Sequence, residues 1–497
     1  MASFDIDKES SYEDTFGHIY KVDFSSPKME GGQGVVIRTT EADLALKIIR
    51  DPDTNEVVTD DSQNEKYLDL RILPIPEDLH ITLPQVALKG VEGYVMTLLN
   101  SMTEFLNAFA TGNRYYRDAL NGNATSEDKR LLNYFDEHQS NTSQKRREKI
   151  FAYMKTGGLR RRLLAYMKAA AILVRLHTCG LVYCDFSDKN VFISSDLNYK
   201  NVWLIDADNL VYSELLKDSF YTPSFVAPEI AKQTGKCSFY SDCFSFAVAL
   251  FNTMFLRHPF DGDAYQNALD ELGEQADTLR DEGNFAWILD SEDDSNNGRL
   301  YLCIPDKFIL SEGLRELFQQ IFSFDAAEQP TIRPTMIQWA GEVAAAFDNV
   351  VHSKNCELDY LADAVDDFSI CPFDDLQIPS VCLKSYLTDE ENQKLAEIWK
   401  FTHELDEKEI PVPLRILNGF FCREIEKNAF YFKFEDEKIF IQAAADSDYS
   451  FSFKDGANGE IVNFGNYGTF KVAQEIFSIK CRHKSGRIIL VEGERHG

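Results

Sequence analysis

Two aspartates and an asparagine lie beside short apolar segments in the middle of the sequence. Asp185 and Asn190 are five positions apart in LVYCDFSDKNVFI, and Asp206 ends the apolar run VWLID sixteen residues later. Asp and Asn also stabilise turns, so turn chemistry explains this loop equally well when it is taken alone. Carboxylate and amide oxygens, however, are ligands that magnesium prefers, together with phosphate oxygens. Asn190 and Asp206 are therefore candidate magnesium ligands, and Asp185 is left to accept a proton.

A glycine-rich turn and a lysine lie upstream of this loop. The segment MEGGQGVV contains Gly31, Gly32 and Gly34, whose backbone amides are suited to hold phosphate oxygens. Lys47 follows in LALK, within reach of a phosphate, and Glu65 on the next helix has the spacing to pair with it. A glycine turn between strands is usually only a hairpin. The prediction therefore depends on the order of these residues along the chain.

Hydrophobic periodicity predicts the elements that position these residues. Residues 107–156 are polar and turn-rich, which indicates an insertion or helical elaboration, and the basic runs 145–147 and 160–162 are typical of a solvated helix face. The periodicity predicts strands at 18–24, 34–40, 43–49, 85–90 and 93–99, and helices at 62–73 and 159–177.

The composition changes after residue 350. Residues 351–385 are acidic and interrupted by prolines, as in a linker or strap. Thr388 and Glu391 form a capping-box pattern that predicts a helix over 390–405. The last eighty residues or so alternate like strands, with hairpin turns at Asp455-Gly456 and Ser485-Gly486. We expect residues 386–497 to form an α+β, strand-rich accessory module without catalytic residues.

Charge and cysteine content exclude several classes of protein. The 497 residues carry a formal net charge of −30, which disfavours nucleic acid and anionic membranes as partners. The longest apolar stretch is too short for a membrane span. Ten cysteines without a CxxC pair indicate reduced, buried thiols rather than disulfides or a zinc site. The sequence starts without a signal or transit pattern, so we expect a cytoplasmic protein.

Taken in order, these motifs resemble the eukaryotic-type (Hanks-like) serine/threonine protein kinases over residues 19–350. GGQG corresponds to the glycine-rich loop and Ala45-Leu46-Lys47 to the strand lysine motif. Tyr183-Cys184-Asp185 stands where the family has His-Arg-Asp, and Asp206-Ala207-Asp208 where it has Asp-Phe-Gly. The strongest stretch is YTPSFVAPEI, in which Thr222 and the triplet Ala227-Pro228-Glu229 resemble the end of an activation segment.

The resemblance implies an α+β, bilobal protein-kinase fold with an additional C-terminal strand-rich module. The kinase domain would be residues 1–350, with a strand-rich lobe at about 15–99, the insertion at 107–156 and a helical lobe to about 350. Residues 351–385 would be the linker, and Asp242 would be a buried anchoring acid. The implied nucleotide contacts are Gly31, Gly32, Gly34, Val36, Ala45, Lys47, the gatekeeper Met96, Leu98 in the hinge, and Phe192.

The implied activity is ATP- and Mg²⁺-dependent transfer of a phosphoryl group to a serine or threonine of a protein. Asn190 and Asp206 would hold magnesium, Lys47 would orient phosphates with Glu65 as its partner, and Asp185 would be the base. Thr222 would bond near Asp185, and Lys189 would reach the transferring phosphate where Ser187 replaces the usual lysine.

Departures from the family pattern leave two alternatives open. Met29 replaces the first loop glycine, Cys184 an arginine and Ala207-Asp208 a Phe-Gly pair, so an inactive pseudokinase scaffold is one alternative. A small-molecule phosphotransferase is the other. The divergence resembles bacterial or atypical kinases, some of which act beside a partner phosphatase. We therefore expect the C-terminal module to bind such a phosphatase or a regulatory protein. Because Cys184 is a thiol that cannot clamp a phosphate, activity should not require activation-segment phosphorylation.

Overall fold

The computed structural model describes residues 6, 9–31, 34–51, 54–197, 200–212, 221–406, 408–445 and 447–496. Gly32 of the predicted phosphate loop and residues 213–220 of the predicted activation segment lie outside these ranges. The chain divides into two compact units. The first unit consists of Met1–Ala108 and Arg175–Ser245, and the second of Phe109–Val174 and Phe246–Gly497.

The first unit begins with antiparallel strands. β3, β4, β5, β7 and β6 form one sheet in that order, and β1 pairs with β2. Val35, Leu46 and Val95 lie in a buried core on one face of the larger sheet. The strands predicted in this region are confirmed. The helix predicted at 62–73 consists of α1 flanked by 3₁₀ turns at Ser62–Asn64 and Leu70–Ile72. The elements are β1 (Ser11–Glu13), β2 (Ile19–Lys21), β3 (Met29–Gly31), β4 (Gly34–Arg38), β5 (Leu44–Ile49), α1 (Glu65–Asp69), β6 (Val86–Ala87), β7 (Gly93–Thr97), β8 (Met102–Glu104) and α2 (Phe105–Ala108).

The polar region after residue 107 is helical. Thr125 and Asp128 form a reciprocal capping box at the start of α4, and Ser143 caps α5. The helix predicted at 159–177 is confirmed as α6. The helices are α3 (Arg114–Asp118), α4 (Ser126–His138), α5 (Gln144–Lys155) and α6 (Gly158–Thr178).

Short strands then position the acidic residues. β10 pairs with β11 and β8, and β9 pairs with β12, all antiparallel. Asp185 and Asn190 therefore lie on a connection with a strand at each end, as predicted. The elements are β9 (Leu181–Val182), β10 (Val191–Ser194), β11 (Val202–Leu204), β12 (Val211–Tyr212), α7 (Pro228–Ala231) and α8 (Phe239–Phe255).

The second unit continues with helices and a hairpin. β13 and β14 pair antiparallel, and Val351, Leu358 and Tyr360 are buried in one apolar cluster with Phe135 and Phe151. The stretch predicted as a linker is thus folded over at least these residues. None of the described helices is long and apolar enough to cross a bilayer. The elements are α9 (Asp263–Leu272), α10 (Gln275–Asp281), α11 (Asp306–Ile309), α12 (Glu312–Ile321), α13 (Phe324–Glu328), α14 (Met336–Phe347), β13 (Val350–Ser353) and β14 (Leu358–Leu361).

The C-terminal region is rich in strands, as predicted. One sheet has the order β16-β15-β24-β23-β20-β21 and the other β17-β18-β19-β22. Both contribute side chains to a common core that includes Leu383, Phe430, Ile441 and Phe477. The elements are β15 (Ser380–Thr388), β16 (Lys394–Glu404), β17 (Ile410–Pro413), α15 (Arg415–Asn418), β18 (Asn428–Glu435), β19 (Lys438–Ala443), β20 (Tyr449–Asp455), β21 (Val462–Phe464), β22 (Tyr467–Lys471), β23 (Ile476–His483) and β24 (Ile488–His496).

The helix predicted over 390–405 is wrong. Those residues form a turn followed by β16, which pairs with β15 along its length. The Asp389 carboxylate accepts the backbone N–H groups of Glu391 at 3.0 Å and Gln393 at 2.8 Å, and Asn392 has a φ of +64°. These acidic residues therefore stabilise a turn and do not cap a helix. Sheet pairing with β15 outweighs the local capping pattern.

Candidate active site

The loop that carries Asp185 is held by a buried carboxylate. Asp242, in α8, accepts the backbone N–H of Tyr183 at 2.8 Å and that of Cys184 at 2.9 Å. His177 Nε2 lies 2.9 Å from the same carboxylate. These contacts stabilise an unusual backbone, because Cys184 has a φ of +73°, a region that non-glycine residues rarely adopt. Asp242 therefore has the anchoring contacts that the kinase resemblance implies.

Tyr183 joins this loop to the strand that precedes Asp206. Its hydroxyl donates to the carbonyl of Ile205 and, at 3.3 Å, to that of Asn190. The Ile205 backbone N–H also donates to the Asn190 carbonyl at 3.0 Å. Burial raises the pKa of Tyr183 well above its ordinary value, so its hydroxyl remains a donor. A tyrosine thus holds together the two segments that carry the acidic residues.

The Asp185 carboxylate has one partner on each oxygen. Thr222 Oγ1 donates to Oδ1 at 2.7 Å, and Asn190 Nδ2 donates to Oδ2 at 2.9 Å. The same Asn190 amide nitrogen also donates to the Asp185 backbone carbonyl at 2.9 Å. The carboxylate is thereby oriented from two sides, and the amide oxygen of Asn190 is left for another ligand. Three residues predicted from the sequence are thus brought together.

Lys47 pairs with two carboxylates of the Asp206 segment. Its Nζ lies 3.1 Å from Asp206 Oδ1 and 3.0 Å from Asp208 Oδ2, and only 4% of its side chain is exposed. Burial opposes the charged form of Lys47, but Asp208 and Asp206 outweigh it and raise its pKa. Lys47 is therefore a permanent positive charge that links β5 to Asp206.

The predicted pairing of Lys47 with Glu65 is wrong. Glu65 is exposed, and within the described residues the carboxylates paired with Lys47 are those of Asp206 and Asp208. The reason is the orientation of α1, whose buried side chain is Tyr67. Residues two apart on a helix point to nearly opposite sides, so burial of Tyr67 turns Glu65 towards solvent.

Several predicted nucleotide contacts share one face of the sheet. Val36 pairs across the strands with Lys47, and Ala45 with Met96. Directly paired residues point to the same side, and this side is opposite the buried core. Gly31 pairs with Gly34 across the turn. A Cβ on Gly34 would lie 2.3 Å from the Ile48 carbonyl oxygen, so close strand approach already requires that glycine.

The contacts of the other predicted site residues give less support to their predicted roles. The Leu98 backbone N–H already donates to the Asp43 carbonyl at 2.8 Å, so it is not available to a nucleotide. Phe192 is half-buried on β10. Lys189 is exposed, and its charge acts on Glu104 and Asp188.

Asp185, Asp206 and Asp208 together carry more negative charge than Lys47 neutralises. Burial raises the pKa of Asp206, the charges of Asp208 and Asp185 raise it further, and Lys47 opposes them. Asp206 has a left-handed backbone with a φ of +52°, and 27% of its side chain is exposed. Three neighbouring carboxylates, of which Asp206 and Asp208 share one lysine, fit a hard divalent cation, which prefers oxygen ligands. Asp206 and Asn190 are the residues suited to hold it.

Sequence reasoning missed the role of Asp208. In the sequence Asp208 differs from the family glycine, but its pairing with Lys47 is not predicted. The second acid at position 208 is the one sequence signal for this pairing, because the exposure of Glu65 is known only from the structure.

The comparisons with known proteins agree with this geometry. Residues 141–339 match the family described as protein kinase domain. The matched range includes Asp185, Asn190, Asp206 and Thr222 but not Lys47, whose assignment depends on its contacts.

The similar curated proteins are protein kinases. Over 104 residues the chain is 28% identical to serine/threonine-protein kinase PLK4 of Xenopus laevis, and the values for PLK4 of Xenopus tropicalis are the same. These alignments cover 20% of this chain and 11% of each relative. The similarity thus concerns about a tenth of those proteins.

Proposed function

We propose that this protein is an ATP- and Mg²⁺-dependent protein kinase that phosphorylates serine or threonine. The observation that carries the proposal is the contact of Lys47 with Asp206, 3.1 Å apart. It joins a strand lysine to a candidate metal ligand across 159 positions of sequence, next to an Asp185 oriented by Thr222 and Asn190. The bilobal arrangement and the domain bounds at 350 and 386 remain part of this proposal.

The roles of the residues follow from their contacts. Magnesium-bound ATP would supply the transferable phosphoryl group and a divalent charge. Asp206 and the amide oxygen of Asn190 would hold the metal, and Lys47 would supply positive charge for the phosphates. Asp185 orients the acceptor hydroxyl and takes its proton at the carboxylate, while Thr222 and Asn190 keep that carboxylate in place. Gly31, Gly34 and the Val36 face of the sheet would receive the nucleotide.

A protein acceptor is favoured over a small molecule. The segment YTPSFVAPEI, with Thr222 bonded to Asp185 at 2.7 Å, resembles the peptide-docking end of a kinase activation segment. Small-molecule phosphotransferases generally lack this segment. A cytoplasmic location and a phosphatase or regulatory partner for the C-terminal module belong to the same proposal and have weaker support, because they depend on family analogy.

The test is phosphoryl transfer by purified protein with labelled ATP and magnesium, using autophosphorylation and generic protein substrates as readouts. Asp185→Asn and Asp206→Asn should each lower turnover by roughly 10²- to 10⁴-fold, because each removes a charge on which the transfer step depends. Asp188→Asn is the matched control, since it makes the same chemical change in the same loop outside the site.

The outcomes separate the alternatives. Transfer that both site variants lose and the control keeps supports the proposal. Magnesium-dependent nucleotide binding without transfer to any protein identifies a pseudokinase. Transfer only to aminoglycosides or choline-like alcohols identifies a small-molecule phosphotransferase.

A further inference from the structure

Two cysteines and an aspartate converge in the second unit, far along the sequence from the kinase motifs. Cys356 Sγ and Cys371 Sγ are 3.7 Å apart, and both side chains are buried. A carboxylate oxygen of Asp374 completes a group whose ligand atoms all lie within 4.8 Å of one another. Cys356 lies in the turn between β13 and β14, and the other two lie in the loop that leads to β15.

A fourth polar group faces the same point. Ser353 has no exposed surface, and its hydroxyl has no hydrogen-bond partner among the described residues. Ser353 ends β13, three residues before Cys356, and its hydroxyl is close enough to both Cys356 and Cys371 to influence their sulfur atoms.

The sulfur spacing fits two thiolates that share a metal ion and is longer than a disulfide bond. Zinc–sulfur bonds of about 2.3 Å in a tetrahedral site place two sulfurs about 3.8 Å apart. A disulfide requires about 2.05 Å. The 3.7 Å observed between Cys356 and Cys371 matches the tetrahedral edge. Two thiolates with one carboxylate are also ligands that zinc accepts, whereas magnesium and calcium prefer oxygen alone.

We propose that Cys356, Cys371 and Asp374 bind a structural zinc ion, with the fourth position directed towards Ser353. On binding, both thiols lose their protons to solvent and form zinc–sulfur bonds, so the ion and its three ligands carry a net charge of one negative unit. The ion would join the β13–β14 turn to the loop at 371–374. Because both lie in the apolar cluster that includes Phe135 and Phe151 of α4 and α5, zinc would stabilise the packing of these helices.

The test uses the full chain, expressed without a histidine tag and purified under reducing conditions without chelator. Elemental analysis should find one zinc per chain. Cys371→Ser and Asp374→Asn should each remove it, whereas Cys303→Ser, which alters a buried thiol of the same cluster, should retain it. Cobalt added to the metal-depleted chain should produce thiolate-to-cobalt charge-transfer absorption and tetrahedral ligand-field bands. Chelation should lower the unfolding temperature of the wild type but not of Asp374→Asn.

Three results would overturn the proposal. One is a reduced, folded chain that contains no zinc and binds neither added zinc nor cobalt. Another is a Cys356–Cys371 disulfide in protein alkylated immediately on lysis, shown by peptide mapping. The third is equal metal loss in the Cys303→Ser control. If Cys371→Ser does not fold, the zinc content of Asp374→Asn still tests the proposal, because this half-buried loop carboxylate is the least disruptive ligand to replace. Kinase activity is not a readout here, so failure of the zinc proposal would leave the proposed function intact.

Discussion

We predict that the carboxylate of Asp208, and not that of Glu65, is the partner that Lys47 needs for activity with ATP. Asp208→Asn keeps the size of the side chain and removes one of the two charges within 3.1 Å of Lys47 Nζ. A hydrogen bond to a charged group is worth about 1.5–3 kcal/mol, and each 1.36 kcal/mol is tenfold in rate. We therefore expect kcat/KM for ATP to fall roughly 10- to 150-fold in Asp208→Asn. Lys47 would then pair with Asp206 alone and compete with magnesium for it.

Glu65→Gln is the matched control for this prediction. Its carboxylate is exposed, and exposed substitutions usually change free energies by no more than about 0.5 kcal/mol, or about twofold in rate. Initial rates at varied ATP measure the kinetic effect, and urea unfolding measures stability independently of activity. Asp208→Asn should also lower the free energy of unfolding, because it leaves a buried lysine less compensated. If Glu65→Gln loses as much activity as Asp208→Asn, Glu65 is the working partner and our reasoning from the Lys47 contacts is refuted.

Three further predictions concern stability and regulation. Arg415 donates to both carboxylate oxygens of Asp348, whose side chain is 1% exposed. Arg415→Met should therefore lower the free energy of unfolding, measured by urea denaturation, by about 3–5 kcal/mol. Adding Asp348→Asn to this variant should recover most of the loss. Burial opposes the charged form of His352, but Asp359, 2.8 Å away, and a second carboxylate outweigh it and raise the pKa of His352 to about 10. The unfolding temperature should therefore fall as the pH rises from about 6.5 through 10. The fall should be smaller in His352→Gln. Cys184 is buried and uncharged, so it cannot clamp a phosphate on the activation segment. Phosphatase-treated protein should therefore keep its activity in the labelled-ATP assay. A loss of activity that incubation with ATP restores would contradict this.

The sequence predicts the catalytic loop well because its geometry is local. Asp185 and Asn190 are five residues apart between two strands, and a short connection between fixed ends leaves little freedom. The partner of Lys47 could not be predicted in the same way. Asp208 is 161 positions away, and the choice between it and Glu65 depends on which face of α1 is buried. That choice is made by Tyr67, whose burial is a tertiary effect.

The arginine run at 160–162 illustrates the same limit. It was interpreted as a solvated helix face, yet Arg162 is fully buried and donates to the carbonyl oxygens of Gly158 and Thr253. Arg160 donates to the Glu404 carboxylate at 2.8 Å and 2.7 Å. Backbone carbonyls and a carboxylate 244 positions away compensate these charges, and neither is visible in a local charge pattern. Basic runs therefore indicate surface helices only when no distant acceptor covers them.

The substitutions at Tyr183 and Cys184 are informative because the loop keeps its anchors without the family's His-Arg pair. Asp242 binds the backbone N–H groups of both residues, a contact that any side chain at these positions permits. Tyr183 adds a side-chain bond to the Ile205 carbonyl, which fixes the segment leading to Asp206. Positioning of Asp185 and Asp206 therefore depends on backbone contacts and one hydroxyl, and not on the charges of a histidine or an arginine. The proposed chemistry requires the position of these carboxylates, so loss of the family's charged pair is compatible with an active enzyme.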